Sequence, residues 1–129
     1  MHFTMEVDHI ILRAQLFRRQ TAEEMQEFIK ALNTEVRGSG CKLVLVHVRH
    51  SLPLFKAEHY ADLTRLASDR GIRVALVGDS EELRASHHYV ELLNRQDGAH
   101  VRGFNDEASA LQWLRSGEPR KGPMPRPVA

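Results

Sequence analysis

A single cysteine, Cys41, stands in 129 residues, so the chain can form no internal disulfide. It needs none, because at this length one domain buries about two thirds of the surface its unfolded form exposes. Cys41 opens a strand-like run with no activating pattern beside it, which predicts a packed, reduced thiol and not a nucleophile. Charge of one sign is lacking as well. Eighteen Lys and Arg against seventeen Asp and Glu leave a formal charge of +1, interspersed, with no basic stripe of the kind condensed phosphates require. No nucleic-acid partner is expected. The apolar runs are strand-sized, short of the roughly 20 residues of a spanning helix, and the N-terminus lacks the basic-then-apolar pattern of a signal peptide. The expectation is a protein that does not span a membrane and resides in the cytoplasm. Proline is nearly absent until the end. Four of the five fall after residue 117, in "GEPRKGPMPRPVA", where fixed φ and missing N–H groups exclude helix and strand interior. This predicts one domain over residues 1–116 and a flexible tail over 117–129. "PMPRP" resembles a short polyproline segment, though a solvated terminus is the reading taken here.

Periodicity supplies the elements. "HFTMEVDHIILRAQLF" gives two extended stretches around Asp8 and His9, a hairpin signal. In "TAEEMQEFIKALNTEVRGSG" the period changes: Met25, Phe28, Ile29, Leu32 and Val36 lie at helical spacing, Thr21 and Glu24 form a capping box, and Gly38 or Gly40 is the stop. "CKLVLVHV" and "RVALVGD" are continuous apolar runs of strands covered on both faces, which favours parallel pairing. Between them "AEHYADLTRLASDRG" predicts a second helix, and Asp79 with Glu82 is expected to cap a third, through about Arg95. "HVRGF" makes a short last strand. "DEASALQWLRS" makes a last helix whose buried face uses Ala108, Leu111 and Leu114, with Trp113 beside it in core or semi-buried packing. The order is ββαβαβαβα, without internal repeats.

In such a fold, chemistry gathers beyond the carboxyl ends of the parallel strands. A receiver-type phosphoacceptor needs an aspartate at the first of these ends, where Val48 and Arg49 stand. A dinucleotide site needs a glycine-rich turn, and "VGDSEE" offers one glycine followed by carboxylates that repel pyrophosphate. Ser51, His50 and Asp79 have the residue types of a nucleophile, a base and an orienting acid. Ser51 lacks the glycine-flanked elbow, however, and Asp79 is accounted for as a helix cap. Of the eight histidines, His87 and His88 are helix neighbours about 100° apart, and His47, His50 and His59 lack ligand spacing. No metal or cofactor is expected.

"IRVALVGDSEEL" followed by "AHVRGFNDEASALQWL" resembles the SpoIIAA-like family of small bacterial proteins, related in fold to STAS and CRAL-TRIO domains. There a strand ending in Val-Gly-Asp precedes a helix, and a strand ending near phenylalanine precedes an Ala-Leu-x-Trp-Leu helix. The resemblance implies an α/β fold with a mixed, mostly parallel sheet, an antiparallel N-terminal edge and about four helices. It also implies a regulatory or binding role without catalysis. Anti-sigma factor antagonists of this fold carry a phosphorylatable serine after the central strand. Here that span reads "SLPLFKAE", with Leu54, Phe55 and Lys56 near the serine's place and Ser51 several residues early. Without an acceptor at the helix start, no phosphate charge is poised to break a partner interface. Leu52, Leu54 and Phe55 either close the domain's own core under the second helix or line a contact surface, and Leu52, Leu54, Phe55 and His59, with Asp79 from the neighbouring strand end, are the residues expected for that contact. Three readings stay open: a module contacting an unknown protein or a second copy of itself, a carrier of a small apolar or lipid-like ligand, and a hydrolase using Ser51 and His50.

Overall fold

The structure is a computed structural model that describes residues 2–18, 21–51, 65–66, 71–96 and 99–116. Five strands form one sheet in sequence order: β1 (His2–Asp8), β2 (Ile11–Phe17), β3 (Leu43–Arg49), β4 (Arg73–Gly78) and β5 (His100–Phe104). β1 and β2 pair antiparallel as a hairpin, from His2 opposite Phe17 to Asp8 opposite Ile11, and every other pair is parallel.

Three helices are described: α1 (Ala22–Ser39), α2 (Glu81–Gln96) and α3 (Glu107–Ser116). That is three where the sequence led us to expect about four. The additional helix, around residues 57–71, falls largely outside the described residues; of that stretch Arg65 and Leu66 are helical, and Leu66 is buried. α1 begins on the expected capping box: Thr21 Oγ1 accepts from Glu24 N–H, and the Glu24 carboxylate accepts from Thr21 N–H. It ends at Gly40, whose φ of 75° is the left-handed conformation a glycine adopts without steric cost.

The alternation of side chains along each strand divides the core in two. Leu12, Ala14 and Leu16 of β2, Val44, Val46 and Val48 of β3, and Val74 and Leu76 of β4 face α1 and α2. There they meet Met25, Phe28, Ile29, Leu32, Val36, Leu83 and Val90. The five α1 residues picked out by helical spacing are all buried. On the opposite face Ile11, Leu45, Ala75 and Val77 meet Ala110 and Leu114 of α3. Ala110, and not Ala108, supplies the small buried contact, because Ala108 lies on the exposed side of the helix. Trp113 is half-buried against Phe104, with ring centroids 5.5 Å apart. The Arg73 guanidinium lies over its ring at 5.9 Å and donates to the carbonyls of Trp113 and Leu114. Arg73 thus helps to satisfy the last carbonyls of α3, that of Trp113 together with the Ser116 hydroxyl.

α2 lies close to the sheet because two strand positions have no side chain. A Cβ on Gly78 would stand 2.7 Å from Leu83 Cβ, and one on Gly103 would stand 3.2 Å from His87 Cβ. The buried His87 fits over both glycines.

Candidate functional site

α3 packs on β3, β4 and β5, so the same face of β1 and β2 stays partly open. Residues of odd number on β2 and β3 and of even number on β1 share that face. Along β2 and β3 these positions include the polar Arg13, Gln15, His47 and Arg49 after the apolar Ile11, Leu43 and Leu45, with Phe17 closing β2.

Two of them, Arg13 and His47, converge on Glu107, the first residue of α3. The preceding Asp106 caps the helix, its Oδ1 accepting from Ser109 N–H at 2.7 Å, and that bond holds the Asp106 carboxyl below the usual carboxylate range. Glu107 reaches back across the sheet to pair with the Arg13 guanidinium, and its Oε1 lies 3.3 Å from His47 Nδ1. Burial alone would raise the Glu107 carboxyl, but the hydrogen bond and charge of Arg13, with His47, outweigh it and hold the group below its ordinary range. His47 also titrates low. Burial and the charge of Arg49 disfavour its protonated form more than Glu107 supports it. The contact is therefore a neutral imidazole beside a carboxylate that Arg13 neutralises.

Beyond this cluster lies the first strand end. Asp79 does not cap α2; Ser80 does, its hydroxyl accepting from Leu83 N–H at 3.1 Å. The Asp79 carboxylate accepts instead from His50 N–H, at 3.2 Å through Oδ2, and lies 3.7 Å from His50 Nδ1. It ties the end of β4 to the end of β3. The His50 side chain is 72% exposed, and the Ser51 hydroxyl donates to the Arg49 carbonyl at 3.0 Å. His50 and Arg18 both hold positive φ, 49° and 57°, conformations uncommon outside glycine. Arg18 N–H donates to the Arg49 carbonyl, which brings these two residues to the same end of the sheet. With His2, Thr4, Gln15 and Phe17 they line an open cleft of about 450 Å³. The His2 and Phe17 rings lie 5.7 Å apart within it.

Of the residues singled out by sequence, Asp79 stands at this strand end, while Leu52, Leu54, Phe55 and His59 lie outside the described residues. The sequence reading missed the Arg13–Glu107–His47 cluster and the cleft. A signal for the first was present: "ILRAQLF" and "LVLVHVR" alternate, and in each the polar residues fall on one face. Among the described residues no group of three or more His, Cys, Asp or Glu is arranged to hold a metal ion, and no helix is long and apolar enough to cross a membrane.

No protein-family model matches the chain, and no curated protein matches it. Solved structures do. The protein TM1081, determined by NMR, superposes with a TM-score of 0.60 at 15% identity, over 89% of this chain and 90% of that one. The anti-sigma factor antagonist SpoIIAA in its unphosphorylated form superposes with a TM-score of 0.57 at 10% identity, over 91% of this chain and 100% of that one. An uncharacterised protein of the DUF3478 family with a SpoIIAA-like fold, from Shewanella loihica PV-4, gives 0.49 at 17% identity, over 88% and 92%. The chain has a SpoIIAA-like, STAS fold.

Proposed function

From that fold we propose that the protein is a non-enzymatic STAS-like binding or regulatory module that acts through protein contacts, and that it lacks the serine switch of the anti-sigma factor antagonists. The observation that carries the reading is the alignment of the whole SpoIIAA chain with nearly all of this one. Two sequence features give it its particular form. Leu54, Phe55 and Lys56 stand near where the antagonists' serine would fall after the central strand, and Leu52, Leu54 and Phe55 would offer an apolar contact in that connection. The Ser51 hydroxyl donates to the carbonyl of Arg49, which supports reading it as a structural hydroxyl and not a nucleophile. Asp79 accepts from the His50 N–H, two residues before the connection that begins at Leu52.

The first prediction tests this reading. Native mass spectrometry of gently extracted protein is expected to show the added mass of a protein other than a second copy of the chain, and Phe55→Asp is expected to shed that mass while circular dichroism stays unchanged. Ser51→Ala is expected to keep it. A lipid-sized adduct lost in Phe55→Asp would instead support the carrier reading. Ester hydrolysis abolished by Ser51→Ala, with Phe55→Asp silent, would overturn the proposal in favour of catalysis.

A further inference from the structure

The two edges of the sheet are treated differently. Along β5 the α2 helix packs closely, and the Glu91 carboxylate, itself buried, accepts the Gly103 N–H at 2.9 Å, occupying a backbone donor of the edge strand. β1 has no such cover: among the described residues no strand pairs with its outer side. Its sequence, HFTMEVD, carries neither lysine nor proline, and its charges, Glu6 and Asp8, lie on one face toward one end of the strand. Val7 is 49% exposed, although Phe3 and Met5 on the same face pack against the first core.

We propose that β1 is a dimerisation edge, on which a second copy of the chain pairs its own β1 antiparallel about a two-fold axis through Met5, giving a continuous ten-stranded sheet. The proposal rests on the reading of the protein as a contact module and names one of its partners.

The pleat restricts the register. A two-fold axis perpendicular to the sheet keeps each face on its own side, so directly opposed residues must be both even or both odd in number. Centring on Met5 pairs all seven residues of the strand. His2 then faces Asp8 of the second copy, Thr4 faces Glu6, Phe3 covers Val7, and Met5 meets Met5. An imidazole and a hydroxyl are opposed to carboxylates, and the exposed valine is covered by an aromatic ring, pairings of the kind that stabilise adjacent strands. Asp8 also lies 3.9 Å from Arg13 and 3.5 Å from His9 within its own chain, yet its side chain stays 47% exposed and open to a further partner. Centring on Glu6 sets two glutamates against each other and shortens the pairing. Centring on Thr4 leaves Val7 and Asp8 beyond the ladder. Length, charge and apolar cover thus select the same register.

Sedimentation velocity on the intact chain, together with single-cysteine variants in a Cys41→Ser background, tests both the dimer and its register. Opposed residues of an antiparallel pair have Cα atoms about 4.5–5.5 Å apart, within disulfide reach, whereas residues offset by two lie beyond about 7 Å. A concentration-dependent dimer is expected, with Met5→Cys giving a covalent dimer on mild oxidation and Thr4→Cys and Glu6→Cys giving none. Val7→Lys, at an exposed position, is expected to keep the fold and weaken association at least about tenfold, since its ammonium would be buried against Phe3. A monomer at high micromolar concentration overturns the inference; so does a dimer that crosslinks through Thr4 or Glu6, or one indifferent to Val7→Lys. None of these results touches the contact reading of the 52–59 connection, because the β1 dimer is expected to survive Phe55→Asp.

Discussion

Glu107 illustrates how one side chain joins distant parts of this sequence. It opens α3, yet its carboxylate is satisfied by Arg13 and His47 from two strands beneath, which fixes where the helix starts on the sheet. Both titratable members of the contact, His47 and Glu107, have folded values below their ordinary ones. A lowered folded value means that the unfolded chain takes up the proton first, so stability is present above the unfolded value and is lost as pH falls. Chemical denaturation across pH is therefore expected to show stability falling first through the histidine range, below about pH 6.5, and again through the carboxylate range near 4. His47→Gln should make the first limb shallower and leave the second. An unchanged upper limb would show that His47 does not contribute. This cluster was only half legible in the sequence. Alternation placed Arg13 and His47 on one strand face, but the contact of Arg13 with a glutamate 94 residues away depends on how far α3 covers the sheet, which no local pattern encodes. Asp79 shows the converse. Its position before a helix reads as a cap, but Ser80 takes that task and leaves the carboxylate for His50.

Most of the element order was legible because each signal was local: the capping box of α1, the apolar runs of β3 and β4, the helical spacing of Met25, Phe28, Ile29, Leu32 and Val36. The shift from Ala108 to Ala110 has a simple origin. α3 covers the sheet with a narrow stripe, and a ten-residue helix gives too few turns for periodicity to separate two alanines. How closely an element packs was not legible at all, since a glycine in "VALVGD" reads equally as a turn. In the structure it is where α2 meets β4. Gly78→Ala would drive a methyl group to within 2.7 Å of Leu83 Cβ, and is expected to cost about 2–3 kcal/mol, as overpacking in a close-packed core does. Equilibrium unfolding in urea measures it, and a cost near zero would mean that α2 moves outward freely.

For the molecule as a whole, the described elements form one sheet with two helices on one face and one on the other, and residues 117–129 follow the last of them. Those residues bring proline without an apolar period, so their removal is expected to leave the melting temperature nearly unchanged. Scanning calorimetry on chains ending at residue 116 and at 129 decides this, and a loss of many degrees would mean that the segment packs on the domain. The unequal edges of the sheet have a further consequence at this scale. Head-to-tail stacking, β1 of one molecule on β5 of the next, would leave a bare edge at each step and propagate without limit into a filament. The Glu91 carboxylate on Gly103 N–H opposes that contact at every molecule. Joining β1 to β1 consumes both bare edges at once, so growth by strand addition stops at two: the capped edge acts as a chain terminator.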